Sequence, residues 1–390
     1  MSAEIVTLGC RLNLAESERM RSMLAAEQDL VVVNSCAVTS EAVRQTRQAI
    51  RRARRASPDA RLLVTGCAAE IEREQIAAMP EVDGLVANTA KLDARAWNVP
   101  QTAPAIPAAH TRAFIAVQNG CDHACTFCAI PQGRGPSRSL TIAQVLREIE
   151  RDLNRGAREV VLTGVDVTSW GHDLPNAPQL GALVKAILVE FASLARLRMS
   201  SVDGIEIDPL LFELFAGEAR VMPHLHLSLQ HGHDMILKRM KRRHLRKDAV
   251  DLIARLRTVR PDIAVGADLI AGFPTEDEAM HSANLSIIEE LQIVHPHIFP
   301  YSPRGDTPAA RMPQLARSVI KERAAELRRA GAAVRRQWLE SHIDQPLEIL
   351  AEAGGTGHAP DFSQVAVPEG TQRGEIVTVI PTRLEQGLLR

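Results

Sequence analysis

Aromatic side chains make up only 3% of this 390-residue chain, with a single tyrosine. Recognition of bases therefore cannot rest on many stacking platforms. An excess of one charge is also lacking: 46 lysines and arginines face 47 aspartates and glutamates, a net charge of −1. That excludes a surface coated in positive potential, although charge can still be local. No apolar run approaches the roughly eighteen residues of a membrane helix. The stretch Met1-Ser2-Ala3-Glu4-Ile5-Val6 has no basic n-region and enters a strand-like pattern at once. A cytoplasmic protein with no membrane association is expected. In such a setting the six cysteines point to metal or redox chemistry rather than disulfides.

The apolar pattern divides the chain. Residues 4–87 alternate short strands (5–8, 30–33, 61–65 and 82–86) with helices (14–27, 40–55 and 69–79), the mark of a small, mostly parallel α/β unit. Residues 98–111 hold three prolines and several alanines, a linker composition. From Phe114 a second series begins, with strands at 113–118, 159–163, 196–202, 224–229, 264–270 and 296–301. Helices fall between them near 141–155, 178–193, 208–216, 234–259 (broken) and 276–292. Thr141 sits at an N-cap and Gly156 just past the C-terminal end of that helix. Six such units fit a closed or incomplete TIM-type barrel, and a doubly wound open sheet fits as well. After a charged helix, three short strands (346–350, 364–367 and 375–380) form a small all-β tail. The expected division is 1–98, a Rossmann-like α/β unit; 112–317, a partial (β/α)6 barrel; 318–341, a connecting helix; and 342–390, a β domain.

At the end of the first barrel strand lies Cys121-Asp122-His123-Ala124-Cys125-Thr126-Phe127-Cys128, a C-x3-C-x2-C spacing. Three thiolates on one short loop can hold three irons of a 4Fe–4S cube and leave the fourth open to a substrate or cofactor. A zinc site would want a fourth Cys or His, for which His123 within the loop is poorly placed. Parallel barrels carry their chemistry on the loops after strands, where this loop sits.

The loop resembles the signature of radical S-adenosylmethionine (SAM) enzymes. The resemblance implies that SAM chelates the open iron through its amino and carboxylate groups. Reductive cleavage of the sulfonium then yields a 5′-deoxyadenosyl radical. Three further stretches stand where that family places its SAM contacts: Thr163 and Gly164 at the second strand, Ser200-Ser201 at the third, and Gly266 to Glu276, with Gly272, at the fifth.

The other cysteines, Cys10, Cys36 and Cys67, each follow one of the first three strands. The carboxyl ends of parallel strands share one edge. One lone cysteine there is most simply a small buried hydrophobe. Three in equivalent turns, with none left over, are what a second three-thiolate 4Fe–4S cluster requires.

This arrangement narrows the resemblance to the radical SAM methylthiotransferases. Leu8-Gly9-Cys10-Arg11-Leu12-Asn13, Asn34-Ser35-Cys36, Leu162-Thr163-Gly164-Val165-Asp166 and Pro223-His224-Leu225-His226 most resemble the branch acting on threonylcarbamoyladenosine in tRNA. The family implies a TRAM-like β-barrel at the C-terminus and a tRNA substrate; a flavodoxin- or ferredoxin-type reductant and action as a monomer are also expected. His231 departs from the family, where a serine usually follows Gln230. Gly305-Asp306 stand where a Pro-Gly pair is common, and the β tail is short.

Two basic blocks could track a phosphate backbone: Arg44, Arg47, Arg51 and Arg55 at helical spacing, and Lys241, Arg242 and Arg243 after the fourth barrel strand. The bland alternative is a solvated face. The same chemistry on isopentenyladenosine in tRNA or on a ribosomal protein is the alternative within the family, and a non-catalytic electron-transfer or cluster-carrier protein is the competing class of function. It differs in releasing no 5′-deoxyadenosine from SAM on reduction.

Overall fold

The computed structural model describes residues 3–100, 111–305 and 307–390. The central part of the expected linker, residues 101–110, and Asp306 lie outside them.

The N-terminal sheet contains β1 (Glu4–Thr7), β2 (Leu30–Ser35), β3 (Arg61–Gly66) and β4 (Gly84–Leu85), all parallel and in sequence order. Every residue of β2 is buried, as a strand covered on both faces should be. The covering helices are α1 (Arg11–Met23), α2 (Ser40–Ala56), α3 (Cys67–Ile71) and α4 (Arg73–Ala77). Helix α1 begins three residues earlier than its apolar period suggested, directly after Cys10 at its N-cap. The single helix expected at 69–79 is two short ones broken at Glu72.

The second unit opens with β5 (Arg112–Ala116), β6 (Gln118–Asn119), α5 (Ile130–Arg134), β7 (Arg138–Ser139), α6 (Ile142–Leu153) and β8 (Glu159–Thr163). It continues through α7 (Leu180–Glu190), β9 (Arg196–Met199), β10 (Ser201–Val202), α8 (Pro209–Gly217) and β11 (His224–Gln230). Next come α9 (Asp234–Arg239), α10 (Arg246–Val259), β12 (Ala264–Ala271), α11 (Glu278–Glu290) and β13 (Ile293–Pro300). Strands β5, β8 and β9 pair in parallel, as do β10 to β13, and Ser200 separates β9 from β10. The order never reverses. A doubly wound sheet needs a reversal, so this is the incomplete barrel, with β5 and β13 at its edges. Thr141 caps α6 in a full capping box with Gln144.

Alternation within the strands sorts outside from inside. Leu225, Leu227 and Leu229 of β11 join Ala249, Leu252 and Ile253 of α10 in the main core. His224, His226 and Ser228 are left on the barrel interior. Helix α12 (Arg317–Glu340) then leads to β14 (Leu347–Ala351), β15 (Thr356–His358), β16 (Gln364–Ala366), β17 (Ile376–Val379), β18 (Leu384–Glu385) and β19 (Leu388–Leu389). These strands form one sheet, with three more of them than the sequence pattern suggested.

The β tail closes the end of the barrel where its strands begin. Arg196, first in β9, donates to the carbonyls of His358 (3.0 Å) and Glu348 (2.8 Å). The Phe362 ring lies 5.2, 5.0 and 4.9 Å from the guanidinium carbons of Arg11, Arg112 and Arg198. Its backbone holds φ at +74°, an unusual conformation for a bulky residue, so these contacts must outweigh the strain. Phe362→Ala should therefore destabilise the chain by about 3–5 kcal/mol. Val189→Ala, on the outer face of α7 and 73% exposed, should stay within about 0.5 kcal/mol. Urea unfolding of both variants measures the difference.

Candidate active site

The sheet register brings the first three cysteines together. Thr7, Asn34 and Thr65 occupy one row across β1, β2 and β3, and Cys10, Cys36 and Cys67 stand three, two and two residues beyond it. Gly9 (φ +91°) makes the approach feasible, because a Cβ there would lie 2.5 Å from Cys36 Sγ. Cys36 and Cys67 are buried and Cys10 is exposed. Burial first, then the Cys10 and Cys67 thiols, push Cys36 up to about 11. A thiol raised in this way gives up its proton readily only to a metal.

The second trio lies between β6 and α5. Cys121 Sγ accepts from the His123 amide and Cys128 Sγ from the Ile130 amide, both at 3.4 Å. Arg242 Nη1 points at Cys125 Sγ from 3.7 Å. Burial is the main cause of the raised thiols of Cys121 (about 11) and Cys128 (about 12); the charges of Asp166 and then Cys125 raise Cys121 further, and those of Cys125 and Cys121 raise Cys128. All three sulfurs are carried by the single loop between β6 and α5. His123 is better placed than its sequence position suggested: its Nε2 is 2.6 Å from Asp166 Oδ2, and Cys121 Sγ lies within 4.8 Å of both groups.

Around this loop the barrel mouth holds the other candidate residues. Gln118 Oε1 accepts from the amides of Val165 (3.1 Å) and Asp166 (2.9 Å), which fixes the turn after Thr163 and Gly164. Ser201 opens β10, and Gly272 (φ +69°) follows β12. Among the described residues, Ser200 Oγ, Asp203 Oδ1 and Arg242 Nε are buried here without a hydrogen-bond partner. Orphaned polar atoms in a cleft mark a place where a polar ligand completes the bonding.

Two family models match the chain: the radical SAM superfamily over residues 115–285 and the uncharacterized protein family UPF0004 over residues 2–87. The threonylcarbamoyladenosine tRNA methylthiotransferase MtaB of Rickettsia prowazekii is 42% identical, over 99% of this chain and 96% of that protein. The chain belongs to the MtaB-like radical SAM methylthiotransferases. MtaB of Bacillus subtilis is 30% identical over 89% of this chain and 84% of its own length. The tRNA-2-methylthio-N(6)-dimethylallyladenosine synthase of Paracoccus denitrificans is 33% identical over 90% and 86%. Among solved structures, the radical SAM methyltransferase TsrM of Kitasatospora setae superposes with a TM-score of 0.53 at 16% identity. That match covers 76% of this chain and 66% of TsrM and speaks to the fold alone.

Membership in this methylthiotransferase family makes the chain an enzyme and implies SAM and a 4Fe–4S cluster. The residues fit: three thiols on one short loop make an all-sulfur donor set one ligand short of a closed cube, and Arg242, which carries one of the orphaned atoms, stands beside Cys125. No helix among the described residues is long and apolar enough to cross a membrane.

The basic blocks look different in three dimensions. Arg44 pairs with Glu41 on its own helix. Arg47 and Arg51 meet Glu72 and Glu81, and the adjacent Arg54 meets Asp83, all from the following βα unit. The acidic neighbours, absent from the local sequence, are supplied by tertiary structure, and Arg55 remains exposed. Arg242 points inward to Asp203 (2.8 Å) and the Ser228 carbonyl (2.9 Å). Arg243 pairs with Glu206 (2.5 Å), while Lys241 stays exposed. His231 is fully buried, its Nε2 3.3 Å from Glu276 Oε2. The departure from the family's serine is thus accommodated in a buried network with His281 and Arg323.

A buried ion cluster, not expected from the sequence pattern, links the helix after Cys10 to the helix after Cys128. Glu16 accepts from Arg134 Nη1 (2.9 Å) and pairs with Lys91 Nζ (2.6 Å), with all three side chains at most 3% exposed. Burial would raise the Glu16 carboxyl, but Lys91 and Arg134 override it and hold it low. Burial would likewise lower Arg134, yet Glu16, then Cys67 and Cys10, raise it. A signal existed: Asn13, Glu16 and Ser17 recur at helical spacing on the buried face of α1. Glu16→Ala leaves two buried cations without their carboxylate and should cost about 3–5 kcal/mol. Urea unfolding, compared with Glu18→Ala on the same helix, measures it.

Proposed function

We propose that the enzyme methylthiolates tRNA, converting N6-threonylcarbamoyladenosine next to the anticodon to its 2-methylthio derivative with two 4Fe–4S clusters. What supports this reading is the placement of two separate cysteine trios, one just beyond the first three parallel strands and one on the loop between β6 and α5, about one buried ion cluster. Cys121, Cys125 and Cys128 would hold the cluster that binds SAM. Cys10, Cys36 and Cys67 would hold the one from which sulfur is delivered. Together these groups supply a carbon radical to activate a C–H bond, and sulfur and methyl to replace the hydrogen.

The chain's own residues position these groups and keep them dry. Arg242 sets a charge beside Cys125 while tied to Asp203. Gln118 orders the Gly164–Asp166 backbone at the mouth, where Thr163, Gly164, Ser201 and Gly272 are the candidate SAM contacts. Arg304 reaches from the barrel to the Ala37 carbonyl beside Cys36, and Ser40 Oγ meets Ser302 Oγ at 2.5 Å, so the two units pack at the rim. For RNA, exposed Arg55 and Lys241 are the cations best placed to meet phosphate, with Arg44, Arg47, Arg51 and Arg243 sharing their charge with carboxylates. We further assign a flavodoxin- or ferredoxin-type reductant, a cytoplasmic location and action as a monomer. The similarity to MtaB relatives that act on threonylcarbamoyladenosine in tRNA supports the substrate.

The test compares tRNA nucleosides from cells with the gene, without it, and with the C10A/C36A/C67A form. Loss of 2-methylthio-threonylcarbamoyladenosine in both the deletion and the triple variant is expected. If that nucleoside persists unchanged, the assignment fails. Loss of the 2-methylthio isopentenyl nucleoside instead would move the substrate to the reading suggested by the Paracoccus relative.

A further inference from the structure

On the interior of the barrel, at mid-strand, a second set of side chains with metal-ligating atoms contains no cysteine. Strands β11, β12 and β13 are adjacent and parallel, and their register places His226 beside Gly266 and His297 beside Asp268. Only glycine fits at 266, because a Cβ there would lie 2.3 Å from His226 Nδ1. His226 Nε2 is 3.1 Å from Asp268 Oδ1, and His297 Nδ1 is 3.2 Å from the same oxygen. The three ligand atoms all lie within 4.8 Å of one another.

Two imidazole nitrogens and a carboxylate oxygen suit a borderline divalent ion such as Fe2+, Mn2+ or Zn2+. Such atoms, each about 2.1 Å from one ion, stand roughly 3–3.5 Å apart. Hydrogen bonding of two imidazoles to one carboxylate is the competing explanation for this spacing. It leaves the neighbouring His224 unexplained. That imidazole is 3% exposed, and neither of its ring nitrogens has a hydrogen-bond partner. An unsatisfied buried polar ring is costly. His224, His226 and His297 all line one cavity of about 380 Å³, so a group inside it can satisfy the orphaned ring.

We propose that His226, Asp268 and His297 bind a divalent transition-metal ion, with His224 hydrogen-bonded to a further ligand of that ion in the cavity. Each histidine offers its lone pair by carrying its proton on the other ring nitrogen. Three protein donors leave coordination positions open toward the cavity. Arg11 and Arg335 line the same cavity, so an anionic fourth ligand, hydroxide or carboxylate, suits the local charge. The ion would join three neighbouring strands beneath the mouth. It uses no cysteine, and its test reads metal binding rather than tRNA modification.

The holoenzyme, with iron on its cysteines and loosely held metal removed by chelation and desalting, is titrated anaerobically with manganous ion. Free Mn2+ is read by its EPR spectrum. Mn2+ favours oxygen and nitrogen over thiolate, so the cysteines do not compete for it. One bound Mn2+ per chain is expected, weakened by ~100-fold or more in His297→Ala. The His297 side chain is 55% exposed, so its removal spares the core, and unchanged iron content verifies the fold. Asp268→Asn serves as a second variant and should lose the site likewise. No stoichiometric Mn2+ site in the holoenzyme, or equally tight binding by both variants, would overturn the proposal.

Discussion

The arrangement of the two cysteine trios depends on one buried carboxylate. Glu16 lies six residues after Cys10, and Arg134 lies six residues after Cys128. Their pairing at 2.9 Å therefore ties the start of α1 to the helix that follows the second cysteine loop. Removing three charges from water is expensive, and only close pairing with full hydrogen bonding offsets it. That bonding is present: Asn13 Oδ1 accepts from Arg134, Asn34 Oδ1 from Lys91, and Asn119 Nδ2 donates to Glu16. A surface ion pair would tolerate sliding between the two units. This one does not, because any displacement leaves a buried charge unpaired.

With that junction fixed, the barrel has two ends of different character. The mouth, where strands finish, gathers thiols, orphaned polar atoms and the incoming N-terminal sheet. The floor, where they begin, is closed by the β tail through Arg196, the Asp361 carbonyl and the Phe362 ring. Between them the interior is lined by histidines, arginines and carboxylates rather than by packed aliphatic layers. The aliphatic side chains are spent outside, on the helices. An incomplete barrel that keeps its interior polar retains room there for ligands, whereas a closed one fills it with side chains.

How much of this the sequence shows varies with the range of the interaction. The β-branched run of β2 and the Leu-alternating β11 are readable because strand formation there follows local pattern. β13 starts at Ile293 rather than 296, since a histidine and a proline within it interrupt the apolar run. β15, β18 and β19 hold three, two and two residues, too few to display alternation. The cysteines stand out by spacing and by their position after strands, which chain order preserves. The partners of Arg47, Arg51 and Arg54 come from a neighbouring βα unit, and Glu16 meets Arg134 across 118 positions. No local window contains such pairs. His226, Asp268 and His297 likewise lie on three successive strands and meet only through sheet register.

The central claim is that each cysteine trio holds its own cluster. Iron and acid-labile sulfide are counted on the anaerobically reconstituted chain and on its two Cys→Ala triples, C10A/C36A/C67A and C121A/C125A/C128A. Sulfide is unaffected by any ion bound at histidines. Roughly eight irons and eight sulfides per chain are expected, falling to about four of each in either triple. If the C10A/C36A/C67A form retains the full sulfide content of the unaltered chain, the N-terminal trio holds no cluster.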